Sequence, residues 1–134
     1  MAIEFSQQHS KVDRSKIPVE VVYHRMSQKL ELIYANEVQP PQKSAGLPSE
    51  YLRVFSPSAE VRGHTPDQAT LQHGKRNISI TGIEHQGSYA IKLIFEDGHN
   101  TGIYTWNYLW ELAARYEENW ENYLAQLEQA GKSR

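Results

Sequence analysis

Apolar residues recur along this chain first with a period of two and then with a period near 3.6, and the change falls at Trp106. From Pro18 to His24 (PVEVVYH) the residues Val19, Val21 and Tyr23 fall on one side. From Lys29 to Ala35 (KLELIYA) Leu30, Leu32 and Tyr34 do the same. Alternation of this kind predicts half-buried strands, and the pair reads as a hairpin joined through residues 25–28. Asn77–Glu84 (NISITGIE) alternates through Ile78 and Ile80 and then slips by one residue at Gly82 before Ile83, which predicts a bulge. Gln86-Gly87-Ser88 turns the chain into Ala90–Phe95, apolar on both faces but for Lys92. Asp97-Gly98 suits a tight turn, because glycine accepts positive φ without a Cβ clash. Residues 77–104 therefore predict a three-stranded antiparallel meander. Thr105 offers a hydroxyl to cap a helix that opens at Trp106. Leu109, Trp110, Leu112, Ala113, Tyr116, Trp120, Tyr123, Leu124 and Leu127 continue it as one apolar stripe, and Gly131 is a natural stop. An unbroken helix over 106–130 would run about 37 Å, more than a sheet of this size covers. The expectation is a break near Glu117-Glu118-Asn119, or a second half that projects toward a partner.

The remaining segments carry less pattern. Residues 1–16 read as a flexible polar arm, and 36–46 as a loop containing Pro40-Pro41. A short helix is expected over 47–55, with Pro48 in its first turn and Leu47, Tyr51 and Leu52 on one face. Residues 56–74 show no sustained period and read as a long loop with one helical turn near 67–71. The fold class is α+β: a small antiparallel β-sheet, made of an N-terminal hairpin plus a three-stranded meander, with a short helix and a C-terminal helix. The expected division is an arm at 1–16, a domain at 17–116 and a helical extension at 117–134.

Composition narrows the function classes. A chain of 134 residues is long enough for one buried core. It has no cysteine, which excludes disulfides, thiolate zinc sites, cysteine-ligated clusters and a cysteine nucleophile, and makes the cytoplasm the expected location. A net charge of -2 gives no electrostatic case for nucleic acid or an anionic membrane. No apolar run approaches the roughly 20 residues that span a bilayer, and the N-terminus lacks the apolar core of a signal peptide.

Four kinds of site merit weighing. His64 and His99, with Glu60 and Asp97, are competent ligands for zinc, iron or manganese, and His73 and His85 lie nearby in sequence, but no ligand spacing such as H-x-x-x-H is present. The plainer alternative has His99 bonding a loop carbonyl and His64 holding a turn. Ser56, Ser58, His64 and Asp97 include the residue types of a catalytic triad, without a G-x-S-x-G elbow. The glycines form no phosphate-binding loop. Trp106, Tyr108, Trp110, Tyr116, Trp120 and Tyr123 exceed what one helical face buries. Trp110, Tyr116, Trp120 and Tyr123 are therefore candidate anchors for a protein partner or a second copy, the alternative being a wide core face.

Two separated signatures resemble one family. Leu52-Arg53-Val54-Phe55-Ser56-Pro57-Ser58-Ala59-Glu60-Val61-Arg62-Gly63-His64 is followed by Phe95-Glu96-Asp97-Gly98-His99 and Gly102-Ile103-Tyr104-Thr105-Trp106. Together they resemble the γ-butyrobetaine hydroxylase-like N-terminal domain family, over roughly residues 18–112, in the layout of its stand-alone bacterial members. In the hydroxylases this domain precedes a catalytic iron and 2-oxoglutarate domain, for which this chain has no counterpart. The resemblance thus implies a non-catalytic accessory module that binds a protein or its own copy. The same domain type also occurs fused to an iron–sulfur carrier ATPase of the Mrp/Nbp kind. The family's zinc is held by L-R-x-x-C-P-C-x-x-C and a histidine. Overlaid here, those ligands fall on Ser56, Ser58, Val61 and His99, so the thiolate site is lost. The overlay implies that the Ser56–Val61 loop lies beside His99. It leaves a residual divalent-metal site of His99, His64 and Glu60 or Asp97 as the second expectation.

Overall fold

The computed structural model describes residues 14–35 and 44–134. The expected arm, apart from a 3-10 turn at Arg14–Lys16, and the Pro40-Pro41 loop lie outside them. The described residues form two three-stranded antiparallel sheets with helices packed against them, an α+β arrangement as the pattern predicts. In the first sheet β1 (Glu20–His24) pairs with β2 (Lys29–Ile33), with Val21 opposite Leu32 and Tyr23 opposite Leu30. Gln28 closes the turn at φ 56°, the one non-glycine residue with positive φ among those described. Its side-chain amide donates to the Asn77 carbonyl at 3.1 Å and to Ser79 Oγ at 2.8 Å, so this turn is tied to the second sheet.

The hairpin has a third strand that the pattern does not predict. β3 (Ser44–Pro48) pairs with β2 and sets Leu47 across from Leu30, both buried. Residues 44–46 were expected in a loop and Leu47 in a helix. SAGLP carries a single large apolar residue, so no alternation reveals it, and an edge strand accepts Pro48 because its outer side needs no donor. The short helix α1 is correspondingly later, Ser49–Val54, with Pro48 as the residue before its first turn.

All six residues of α1 are buried. A helix this short leaves most of its carbonyls without an intrahelical partner. Tyrosine hydroxyls fill the gap: Tyr104 donates to the Leu52 carbonyl at 2.6 Å and Tyr108 to the Phe55 carbonyl at 2.5 Å. Tyr51, within the helix, donates to the Leu112 carbonyl at 2.7 Å and accepts from Asn119 at 2.9 Å.

The following segment is more ordered than a featureless loop. Ser58 caps a four-residue helix, α2 (Ala59–Arg62), by accepting the Glu60 N–H at 3.1 Å, and a 3-10 turn covers Pro66–Gln68. Gly63 joins the two at φ 71°, where a Cβ would lie 2.4 Å from that of Gln68, so the close approach admits only glycine.

The second sheet is the predicted meander. β4 (Ile80–Gln86), β5 (Ala90–Phe95) and β6 (Gly102–Thr105) run antiparallel, and the register shifts between Ile80 and Gly82 where the slip was read. Thr105 then caps α3 (Trp106–Ala114), its hydroxyl accepting the Tyr108 N–H at 3.1 Å. The helix breaks at Arg115, slightly before the Glu117–Asn119 expectation, and α4 (Tyr116–Ala130) folds back over α1 rather than projecting. Among the described residues no helix is long and apolar enough to cross a membrane.

Tyr104→Phe keeps the ring and strands one buried carbonyl. The expected loss is about 1–3 kcal/mol of unfolding free energy, read as a lower urea midpoint at unchanged slope.

Candidate functional site

The predicted tight turn delivers His99. Gly98 takes φ 90°, and Asp97 Oδ1 accepts the His99 backbone N–H at 3.1 Å. The other carboxylate oxygen accepts from Arg53 Nε at 3.0 Å and from Lys75 Nζ at 2.7 Å. Partial burial pushes the Asp97 carboxyl up, but Lys75, the His99 N–H and Arg53 together outweigh it and hold the pKa at about 2. His99 is 7% exposed, and its ring has both nitrogens engaged. Nε2 lies 2.9 Å from Ser56 Oγ, and Nδ1 lies 3.2 Å from Glu60 Oε1. A carboxylate only accepts, so the neutral ring carries its proton on Nδ1 toward Glu60 and accepts the Ser56 hydroxyl proton at Nε2. Ser56 Oγ in turn accepts the Ser58 N–H at 3.2 Å, and the Ser58 hydroxyl meets that of Thr101 at 2.6 Å. Burial lowers the His99 pKa, and the nearby Arg53 cation lowers it further, against the opposing pull of Glu60 and Asp97.

Ser56, His99 and Glu60 thus have the atom order of a serine–histidine–acid relay, which differs from the Ser56, Ser58, His64, Asp97 grouping legible in the sequence. The surroundings give it a structural use. Ser56 is 1% exposed, and a Cβ on Gly102 would lie 2.6 Å from its Oγ, so the hydroxyl is closely enclosed. The relay fastens the segment after α1 to the turn before β6. Nothing in the sequence pattern couples Ser56 to His99, which lie 43 residues apart; only the family overlay set their segments side by side.

The metal set of His99, His64, Glu60 and Asp97 is not assembled. Glu60 does reach His99, but Asp97 is held by two cations. His64 is exposed, and its backbone N–H donates to Gln68 Oε1 at 2.8 Å. Among the described residues no three His, Cys, Asp or Glu side chains are grouped to hold a metal ion. The zinc implied by the resemblance does not fit either. The Ser56 and Ser58 hydroxyls are spent on His99 and Thr101, and Val61 is an apolar, buried side chain.

The four candidate interface aromatics pack largely within the chain. Trp110 is buried with its ring edge-on to Tyr34 at 5.1 Å. Tyr116 meets Tyr51 edge-on at 4.7 Å, and Trp120 stacks beside Tyr116 and Tyr123. Tyr123 is buried and donates to the Gln72 carbonyl at 2.8 Å. The break at Arg115 is what makes this possible, because it turns the second half of the apolar stripe back onto α1. Trp110 and Tyr123 therefore offer no exposed ring to a partner, while Tyr116 and Trp120 are half-buried.

A groove lies elsewhere, where the β1–β2 turn faces β4. Tyr23, Arg25 and Met26 form one wall, and Ser79 to Ile83 form the other, around a volume of about 950 Å³. Met26 is 100% exposed and Ile83 is 37% exposed. Among the described residues β4 pairs only with β5, so its other edge is open. The Tyr23 hydroxyl closes the near end by accepting the Ile80 N–H at 3.2 Å. The one sequence signal was Met26, an apolar residue in a polar turn.

The fold and its polar fastening define a small α+β module whose loops are joined by the Ser56–His99–Glu60 relay. The family model for the γ-butyrobetaine hydroxylase-like N-terminal domain matches residues 21–110, and the chain belongs to that family. Two proteins solved in solution by NMR are similar to it. One is 49% identical, with 88% of this chain and 89% of that one covered at a TM-score of 0.73. The other is 41% identical, with 92% and 89% covered at 0.72. The crystal structure of a protein of unknown function from the DUF971 family of Acidithiobacillus ferrooxidans is 33% identical, with 77% of this chain and 99% of that one covered at 0.61. Among curated proteins, none matches.

Two outcomes follow from the His99 relay. The folded pKa of His99 lies below its ordinary value of 6.5, so on acidification the unfolded chain takes up a proton that the fold resists. Stability contributed by this group is complete above 6.5 and declines as pH falls toward the folded value. Urea midpoints measured from about pH 7.5 down to about pH 5 should fall, and the fall should be smaller in His99→Gln. In Gly102→Ala the added methyl should displace Ser56 and cost about 1–3 kcal/mol, with a shifted His99 ring signal by NMR.

Proposed function

We propose that this chain is a non-catalytic binding module that takes an extended segment of a partner protein along the open edge of β4. The observation that carries the reading is the groove between that edge and the β1–β2 turn, with Met26 and Ile83 exposed on opposite walls. An extended peptide can add to a sheet edge through main-chain hydrogen bonds, while alternate side chains enter the adjoining groove. The groove favours one chemistry. Its lining holds Arg25, which has no acidic partner among the described residues, and no carboxylate. A segment that alternates apolar and acidic residues matches both features: the apolar side chains cover Met26 and Ile83, and a carboxylate meets Arg25.

The test is an amide NMR titration with a blocked Val-Glu-Val-Glu-Val peptide. Saturable shifts confined to residues 23–26 and 79–86 are expected. Arg25→Glu should weaken binding about 5-fold or more, and Ile83→Asp about 10-fold. Ile83 is exposed enough for that change to leave the fold intact. Absence of saturable shifts in these segments would overturn the reading. So would shifts that depend on protein concentration alone, which would mark the edge as a contact between copies.

A further inference from the structure

A second concavity is built differently from the groove. It lies among the end of α1, α2, the segment 69–72 and the facing sides of α3 and α4, and encloses about 300 Å³. That volume is at the lower end of small-ligand sites. Its walls are pinned to one another. The Tyr108 hydroxyl bonds the Phe55 carbonyl at 2.5 Å, the Tyr123 hydroxyl bonds the Gln72 carbonyl at 2.8 Å, and the Thr70 N–H bonds the Val61 carbonyl at 2.8 Å. These bonds connect α3, α4 and α2 to the segments they face, so the shape is preformed rather than a gap between loose loops.

The lining is apolar on the inside and cationic at the rim. Val54, Val61 and Tyr123 are buried, and Leu71 is half-buried. Arg62 is exposed, with its guanidinium 4.8 Å above the Tyr108 ring. Among the described residues Arg62 has no acidic partner, and none of those lining the concavity is acidic. Most other polar groups are already committed. The Gln72 side chain bonds Arg53 and the Thr70 carbonyl, and the Tyr108 and Tyr123 hydroxyl protons go to carbonyls. The Arg62 guanidinium, which also hydrogen-bonds the Tyr108 side chain, is the cation among them. A guanidinium has five N–H donors, and those not used on Tyr108 can pair with a carboxylate.

We propose that this concavity binds a small monocarboxylate with an apolar body, such as an arylalkanoate or a short branched acid. The carboxylate pairs with Arg62, and the body lies against Val61, Leu71 and Tyr123. This site is separate from the β4 groove, so either can fail without the other.

The probe is 3-phenylpropionate, read by methyl and amide NMR on the full chain. A ligand of this size is expected to bind with a Kd of roughly several millimolar. Saturable shifts are expected at the methyls of Val54, Val61 and Leu71, and none at residues 79–86. The neutral 3-phenylpropionamide should bind about 10-fold more weakly. Arg62→Gln should bring the acid down to the amide's level while keeping a dispersed spectrum, because the side chain is exposed. Equal affinity for acid and amide in the native chain would overturn the proposal. So would undiminished acid binding by Arg62→Gln, or the absence of saturation at these methyls.

Discussion

A six-residue helix cannot hydrogen-bond its own C-terminal carbonyls, and α1 ends inside the protein, where water cannot do so for it. That constraint organises the structure. The carbonyls of Leu52 and Phe55 receive hydroxyl protons from Tyr104 on β6 and Tyr108 on α3. Tyr51 reaches outward from the same helix to the Leu112 carbonyl at the far end of α3. Three tyrosines thereby fix α1 relative to the second sheet and to both halves of the C-terminal helical region. Each places a bulky ring in the core and a polar tip on a backbone group. The high tyrosine content has a use that general hydrophobicity does not supply.

The polar relay depends on that arrangement. Ser56 follows α1 by two residues, and its position is set once the Phe55 carbonyl is held. His99 reaches it from the turn before β6, the strand that also carries Tyr104. Arg53 ties α1 to the same turn through Asp97. α1 and the loop after it are therefore joined to the turn before β6 by the Ser56–His99–Glu60 contacts and by the Arg53–Asp97 ion pair. A metal could make the same join with fewer residues. In this chain the join consists of oxygen and nitrogen contacts that are all satisfied internally.

The parts of this fold that were legible in the sequence were those in which one face is wet and the other dry. β1, β2, the β4–β6 meander, the bulge at Gly82 and the Thr105 cap all follow from local pattern, because alternation and capping are local physics. β3 escaped because Leu47 is its sole large apolar residue and its partner, Leu30, is 17 positions away. The break at Arg115 was anticipated in kind and slightly misplaced, since the aromatic contacts that bend the chain back involve Tyr51, far earlier. The candidate site was half visible. His99 stood out by residue type and by the family overlay, but its true partners, Ser56 and Glu60, emerged only with the tertiary arrangement. His64, the equally eligible neighbour by residue type, faces solvent.

Gln28 brings one further consequence. A left-handed φ of 56° on a side-chain-bearing residue is normally relieved by substituting glycine, and at this position that substitution would remove the amide reaching Asn77 and Ser79. The two sheets meet here through a spacer one side chain long. Together with the bond from the Ile80 N–H to the Tyr23 hydroxyl, it holds the β1–β2 turn beside β4. A backbone strain that looks like a local defect thus helps to hold one wall of the groove against the other.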